Sequence, residues 1–301
     1  MTLTITDIIS KINKSKTFVE VFSDLSNWLA EYKKYAKQIH PDICHEAGAK
    51  DALTKLNEYK EELEKGKSHM DDAGTIVYRV NSTGITGNKL ILEHSLNHFN
   101  TLLSYKEKMD KDFQRYIPVS AKLTSIPNQA NVAKLDFNLN LRCIPLSALG
   151  TLPQGHVNWI LSRMLEYIAY INKKGFVHCG INPDSVYVEP INHGINVISY
   201  YHMTKIGSKM GTASGKYLYM YPDHVKTKKI ATPDIDIELC KRTAIYLLGD
   251  KSGIGTSLRK THSLAFLDFI NKRHTDPVEA FIDYRKMLDK NFEKKFLPLI
   301  V

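Results

Sequence analysis

Two stretches of this chain concentrate side chains able to do chemistry, and they differ in kind. The first is His40-Pro41-Asp42, reached through a segment that carries Lys33, Lys34 and Lys37. An imidazole and a carboxylate on a proline-restricted turn need little further ordering when a partner arrives. Lysines beside them are long, flexible cations that speed the approach to an acidic groove. That combination suits recognition. The plainer alternative is an ordinary helical hairpin in which Pro41 breaks the chain and Asp42 caps the next helix. The second stretch is GFVHCGINPDSVYVEP, which sets His178, Gly180, Asn182, Asp184 and Ser185 close together. It lies between a helical pattern and an apolar strand, so it reads as a turn that opens a two-strand ribbon. The four cysteines, Cys44, Cys143, Cys179 and Cys240, are too far apart for a zinc site or a redox motif and read as reduced, packed thiols. Neither a metal nor another cofactor is expected.

Amphipathic helices must carry both turns. Trp28, Leu29, Tyr32, Tyr35, Ala36 and Ile39 recur at three- and four-residue spacing, with the three lysines on the other side. Ser26 or Asn27 suits the start of that helix. A second helix, from about 47 to 64, carries Ala52, Leu53, Leu56, Tyr59 and Leu63. Pro41 turns the chain between them, which predicts an antiparallel helical hairpin. A short helix before Lys16, with Phe18, Val21 and Phe22 after it, is expected to pack against that hairpin. Before the second turn, Val157, Ile160, Leu161, Met164, Leu165, Ile168 and Ile171 mark a longer helix that Lys173, Lys174 and Gly175 should end. After it come a short loop at His193 and Gly194 and an apolar strand at Asn196, Val197 and Ile198.

The 301 residues are enough for one large domain or two smaller ones. Hydrophobic residues at 43% and charged residues at 24% are ordinary for a soluble globular protein. No apolar run is long enough to span a bilayer and no secretory leader pattern opens the chain, which predicts a cytoplasmic protein. The net charge is +9. Acidic and basic side chains cancel through residue 70, eleven against eleven, so the remainder holds the whole excess. A basic body can attract nucleic acid or another anion nonspecifically, although a surface tuned for solubility accounts for the charge as well. The polar stretch EKGKSHMDDAG marks a boundary near residue 70, and Gly150 and Pro153 mark another.

The first seventy residues resemble a J domain, the DnaJ-like co-chaperone module. They have a basic amphipathic helix, His-Pro-Asp, and a following helix with the step Leu56-Asn57-Glu58. The resemblance implies that His40, Pro41 and Asp42 deliver an activating contact to a DnaK-type heat-shock chaperone. Lys33, Lys34 and Lys37 would supply the electrostatic docking. The Gly/Phe-rich and zinc-binding regions of general DnaJ proteins are missing, which suggests a dedicated J protein.

The order from Gln154 to Gly249 resembles the C-terminal lobe of a protein kinase. His178 to Ser185 align with the family's catalytic loop, Tyr219-Met220-Tyr221-Pro222-Asp223 with its Ala-Pro-Glu region, and Asp236-Ile237 with the start of its long buried helix. On that alignment the architectural residues are kept and the catalytic ones replaced. Gly180 stands in place of the base, Asn182 in place of the neighbouring lysine, Ser185 in place of a metal-binding asparagine, and Ser199 near the metal-binding aspartate. His178 and Asp236 would support backbone geometry. Residues 71–150 should then form a reduced N-lobe, with strands at 75–80, 89–94, 119–125 and 132–141 and a helix at 99–113. Gly84 and Gly87 would lie in a turn, and 143–149 would be the hinge. Glu107, on the helix, has no lysine partner and reads as a surface charge. Tyr200, Tyr201, Tyr217, Tyr219 and Tyr221 read as core or rim packing more readily than as a binding surface.

The expected fold is α+β: an all-α J-like module over 1–70, then a two-lobed kinase-like fold with a reduced N-lobe over 71–150 and a mostly helical C-lobe over 151–301. The expected function is that of a co-chaperone, not an enzyme. It would stimulate a DnaK-type ATPase while the pseudokinase body recruits a client protein. Two alternatives come from other classes: a basic scaffold that binds nucleic acid or another acidic partner, and a divergent active kinase.

Overall fold

The computed structural model describes residues 3–16, 18–22, 28–79, 82–105, 114, 116–139, 143–190, 194–293 and 299. At the N-terminal end, α1 (Ile5–Lys14) starts on a capping box. The Thr4 hydroxyl accepts from the Asp7 amide at 3.2 Å, and the Asp7 carboxylate accepts from the Thr4 amide at 3.1 Å. A single turn, α2 (Phe18–Val21), is followed by α3 (Trp28–Gln38) and α4 (Ala49–Lys65). Ile8 and Ile12 from α1, Val21 and Phe22, Tyr35 and Ile39, and Ala52, Leu56 and Leu63 from α4 pack into one apolar cluster. The Tyr32 hydroxyl donates to Asn57 Oδ1 at 2.8 Å and ties α3 to α4. The buried stripe of α3 is narrower than its spacing predicts: Tyr35 and Ile39 are buried, but Leu29 is 40% exposed. Asp42 does not cap α4, because a left-handed Gly48 sits at that position and the helix begins only at Ala49. The proposed caps Ser26 and Asn27 lie outside the described residues.

A second apolar cluster begins at Ala73 and runs through the rest of the chain. Its sheet has five antiparallel strands in the order β1-β2-β3-β5-β4. They are β1 (Lys67–Asp71), β2 (Gly74–Tyr78), β3 (Ser82–Asn88), β4 (Ser120–Ser125) and β5 (Val132–Asn138). Ala133, Leu135 and Phe137 alternate inward along β5, where α5 (Lys89–Leu103) covers them with Leu92, Phe99 and Leu102. Two expectations are corrected here. The segment at 89–94 is the start of α5 and not a strand. Asn88 caps it by accepting from the Ile91 amide at 3.3 Å, and the apolar run Leu90-Ile91-Leu92 belongs to a helical period that continues to Phe99. Gly84 and Gly87 lie within β3 and not in a turn. Gly87 has a packing reason: a Cβ there would stand 1.8 Å from the Ala73 carbonyl oxygen. The polar stretch taken as a boundary is β1 and its hairpin turn. Glu107, and with it the end of the predicted 99–113 helix, lies outside the described residues.

The short β6 (Ile144–Pro145) leads through a 3-10 turn into α6 (Gln154–Lys173), which ends at a left-handed Gly175. Next come β7 (Phe176–Val177), the turn around Asn182, and the ribbon β8 (Val186–Val188) and β9 (Ile195–Val197), with β6 pairing along β8. His193 lies outside the described residues. Beyond β10 (Thr204–Lys205) and the single-turn α7 (Asp223–Thr227) runs α8 (Pro233–Leu247), which starts three residues before Asp236 and is buried around most of its circumference. α9 (Leu264–Asn271) and α10 (Pro277–Asn291) close the helical part against α6 and α8. No helix among the described residues is long and apolar enough to cross a membrane.

Candidate functional site

The first candidate is the turn after α3. His40, Pro41 and Asp42 are all exposed, as are Lys33, Lys34 and Lys37 on the preceding helix. The amides of Ile43 and Cys44 both donate to the His40 carbonyl, at 2.9 and 2.8 Å, which winds the turn tightly. Buried Ile39 and Cys44 anchor its two ends. The Asp42 amide donates to His40 Nδ1 at 3.3 Å, and its carboxylate lies 3.4 Å from the same nitrogen. Ile43, next in line, is 65% exposed. The structure therefore leaves three cations on α3, and the imidazole, carboxylate and apolar side chain of the turn that follows it, open to solvent.

The second candidate is the buried turn after β7. Asp236, at the start of α8, accepts from the amides of His178 and Cys179 at 2.6 and 2.8 Å. It thereby holds Cys179 at φ +57°, a left-handed conformation rare for a side chain other than glycine. Burial pushes the Asp236 carboxyl up to about 7, against the pull of those two N–H donors. His178 is fully buried, which pushes its imidazole down to about 3. Its ring meets Tyr200 edge-on at 5.7 Å, and Tyr200 meets Phe99 at 5.6 Å, so an aromatic column runs from the helical part to α5. Inside the turn, Asn182 Oδ1 accepts from the amides of Asp184 and Ser185, and Asn182 Nδ2 donates to the Gly180 carbonyl at 3.0 Å. Ser185 Oγ accepts from the Asn182 amide at 2.9 Å. Both side chains are spent on the shape of the loop.

At Gly180 the space is already filled. A Cβ there would lie 2.4 Å from Cδ2 of His202, whose side chain is wholly buried. Asp184, also buried, meets the Lys216 ammonium at 2.5 Å, with His69 Nε2 3.8 Å from its other oxygen. Ser199, left-handed at φ +65°, donates to Asp71 Oδ2 at 3.1 Å, and the Tyr201 hydroxyl donates to the same oxygen at 2.7 Å. Asp72 Oδ1 accepts from the Gly215 amide at 2.8 Å, and its Oδ2 lies 3.7 Å from His202 Nε2. Partial burial works to raise the Asp72 carboxyl, but the nearby polar groups of His202 and Ser214 and the bond from the Gly215 amide hold it down at about 2.

The sequence located His178, Gly180, Asn182, Ser185 and Ser199, and they do gather around one buried turn. It missed Asp71, Asp72, His202 and Lys216, whose only signal was a pair of acids in a stretch read as a boundary. Tyr200, Tyr201, Tyr217 and Tyr221 are buried, and Tyr219 is exposed. The four cysteines are buried thiols, and Cys143 Sγ accepts from Asn196 Nδ2 at 3.6 Å. Among the described residues no group of three or more His, Cys, Asp and Glu is placed to hold a metal ion.

No protein-family model and no curated protein matches the chain. Among solved structures, the structure of vaccinia related kinase 3 matches with a TM-score of 0.52 at 11% identity, covering 76% of this chain and 92% of that one. At that identity the likeness is one of fold: a kinase-like arrangement of a sheet-rich lobe and a helical part.

Proposed function

We propose that this protein is a co-chaperone: its N-terminal helices dock a DnaK-type chaperone and stimulate its ATPase, and its kinase-like body holds the client. The observation that carries this reading is the open turn His40-Pro41-Asp42 at the end of a helix whose Lys33, Lys34 and Lys37 are all exposed. Cations in that arrangement steer an acidic partner, and the tightly wound turn keeps the ordering cost of contact low. Tethering the chaperone to a held client raises its local concentration without new contacts. The kinase-like fold also admits a divergent phosphotransferase, but Gly180 stands where a carboxylate would have to orient the acceptor hydroxyl, and His202 fills the adjoining space.

The test is steady-state ATP hydrolysis by a DnaK-type chaperone with the full-length protein and with its His40→Gln form. Stimulation by the native chain and its loss in the variant are expected. Equal rates with both proteins would sink the proposal. Radiolabel transfer from ATP with magnesium, persisting in purified protein and abolished by Asp184→Asn, would favour the phosphotransferase instead.

A further inference from the structure

The turn between β1 and β2 is short and acidic, with Asp71 half-buried and Asp72 open to solvent. Only Asp72 and Ala73 separate the paired ends Asp71 and Gly74. A two-residue connection cannot wrap around a ligand as a long flexible loop does. It projects two carboxylates instead. Asp71 Oδ1 accepts from the Asp72 amide within the turn at 2.8 Å, and the partners beyond the turn lie on one segment of the helical part. Asp71 receives hydroxyls from Ser199 and Tyr201, and Asp72 receives the Gly215 amide and faces His202.

Those partners are a donor-rich pocket for an anion. Two hydroxyls, one amide and one imidazole converge on the tip of the ribbon from residues 199–215. Buried Ser199 lies near the position aligned with a metal-binding aspartate. His202 fills the space beside Gly180, where the aligned base would reach. Farther back, the Thr83 and Tyr187 hydroxyls meet at 3.0 Å between β3 and β8, both buried, with the Tyr78 ring edge-on to Tyr187. Among the described residues, the chain's own side chains thus meet between sheet and helical part both at the tip and farther back.

We infer that Asp71 and Asp72 are the cleft's resident anion. They stand in for the phosphates of a nucleotide, shut nucleotide out, and latch the sheet onto the helical part without any bound ligand. The inference concerns the body alone and holds whatever the N-terminal helices dock on. The latch is charge-assisted on one side only, since its donors are mostly neutral. It therefore depends on the two carboxylates and cannot be replaced by neutral side chains of similar size.

Hydrogen exchange and nucleotide titration on the full chain test it together. The native protein should show no saturable binding of a fluorescent ATP analogue with magnesium, and strong amide protection over 67–78 and 199–215. In the Asp71→Ala/Asp72→Ala form, exchange over both segments should rise by about tenfold or more, as expected when a buried charged acceptor is removed. Tyr201→Phe, which deletes a single hydroxyl and keeps the ring, should raise it by roughly threefold to tenfold in a chain whose circular dichroism is unchanged. It carries the test if the double variant fails to fold. Saturable nucleotide binding by the native chain would overturn the inference, and so would native protection in Tyr201→Phe.

Discussion

Gly180 and His202 show how far a single residue can be read. Alignment of the turn sets Gly180 at the position of a base, and its missing side chain, together with the replacements at Asn182, Ser185 and Ser199, argues against phosphoryl transfer. Nothing along the chain hints that His202 fills the space, because the two residues lie 22 positions apart with no spacing rule between them. Restoring a carboxylate should therefore fail twice. Gly180→Asp is expected to transfer no phosphate and to cost about 2–4 kcal/mol through overpacking against the imidazole, read as a lower denaturant midpoint. Asp72 supports a pH prediction. Its carboxyl, ordinarily near 3.8, is held at about 2 in the folded chain. A lowered folded value means the stabilisation is complete above about pH 4 and is lost as the pH falls toward 2. The shift is discounted for the quarter of the side chain that faces solvent. The advantage of the native chain over Asp72→Asn should then be about 1–2 kcal/mol at pH 6 and shrink toward zero near pH 2, measured by denaturation across that range.

At the scale of elements, legibility followed periodicity. α4 and α6 were found within a few residues because their apolar positions repeat at helical spacing over several turns. The start of α5 was mistaken for a strand because Leu90, Ile91 and Leu92 are consecutive, and a three-residue run does not separate the two periods. β3, with two glycines and two threonines, carries almost no apolar signal; its place is fixed by pairing with β2 and β5. Contacts between elements were equally hidden. Tyr32 was expected only as part of an apolar stripe, yet its hydroxyl joins α3 to Asn57. Tyr32→Phe should cost about 0.5–1 kcal/mol and raise amide exchange in α3 while leaving the sheet unaffected.

Across the whole molecule, two apolar clusters divide the chain, one ending at Leu63 and the other starting at Ala73. Leu56→Ala should therefore destabilise the N-terminal helices by about 2–4 kcal/mol and leave amide protection around Leu135 and Phe137 at its native level. Spread of the damage into the sheet would mean that the two clusters unfold as one. The order of lobes was readable because the catalytic-loop-like turn and the buried helix at Asp236 occur at family-like positions. The closed cleft was not readable, because it depends on residues 71 and 72 meeting residues 199–215, a contact that neither stretch foreshadows alone.

The joint between these clusters is a single residue. Gly66 alone separates α4 from β1, and Arg79 Nε on the sheet side donates to the Glu64 carbonyl at 3.0 Å. A helix advances by about 100° and about 1.5 Å with each residue. One alanine inserted after Leu63, beyond the last buried position of α4, would swing the His40–Asp42 turn through more than a quarter of a circle while leaving both clusters packed. The length of α4 thus works as a compass bearing. It sets the direction in which the His40–Asp42 turn faces relative to the body, and a flexible linker of equal length would leave that direction free.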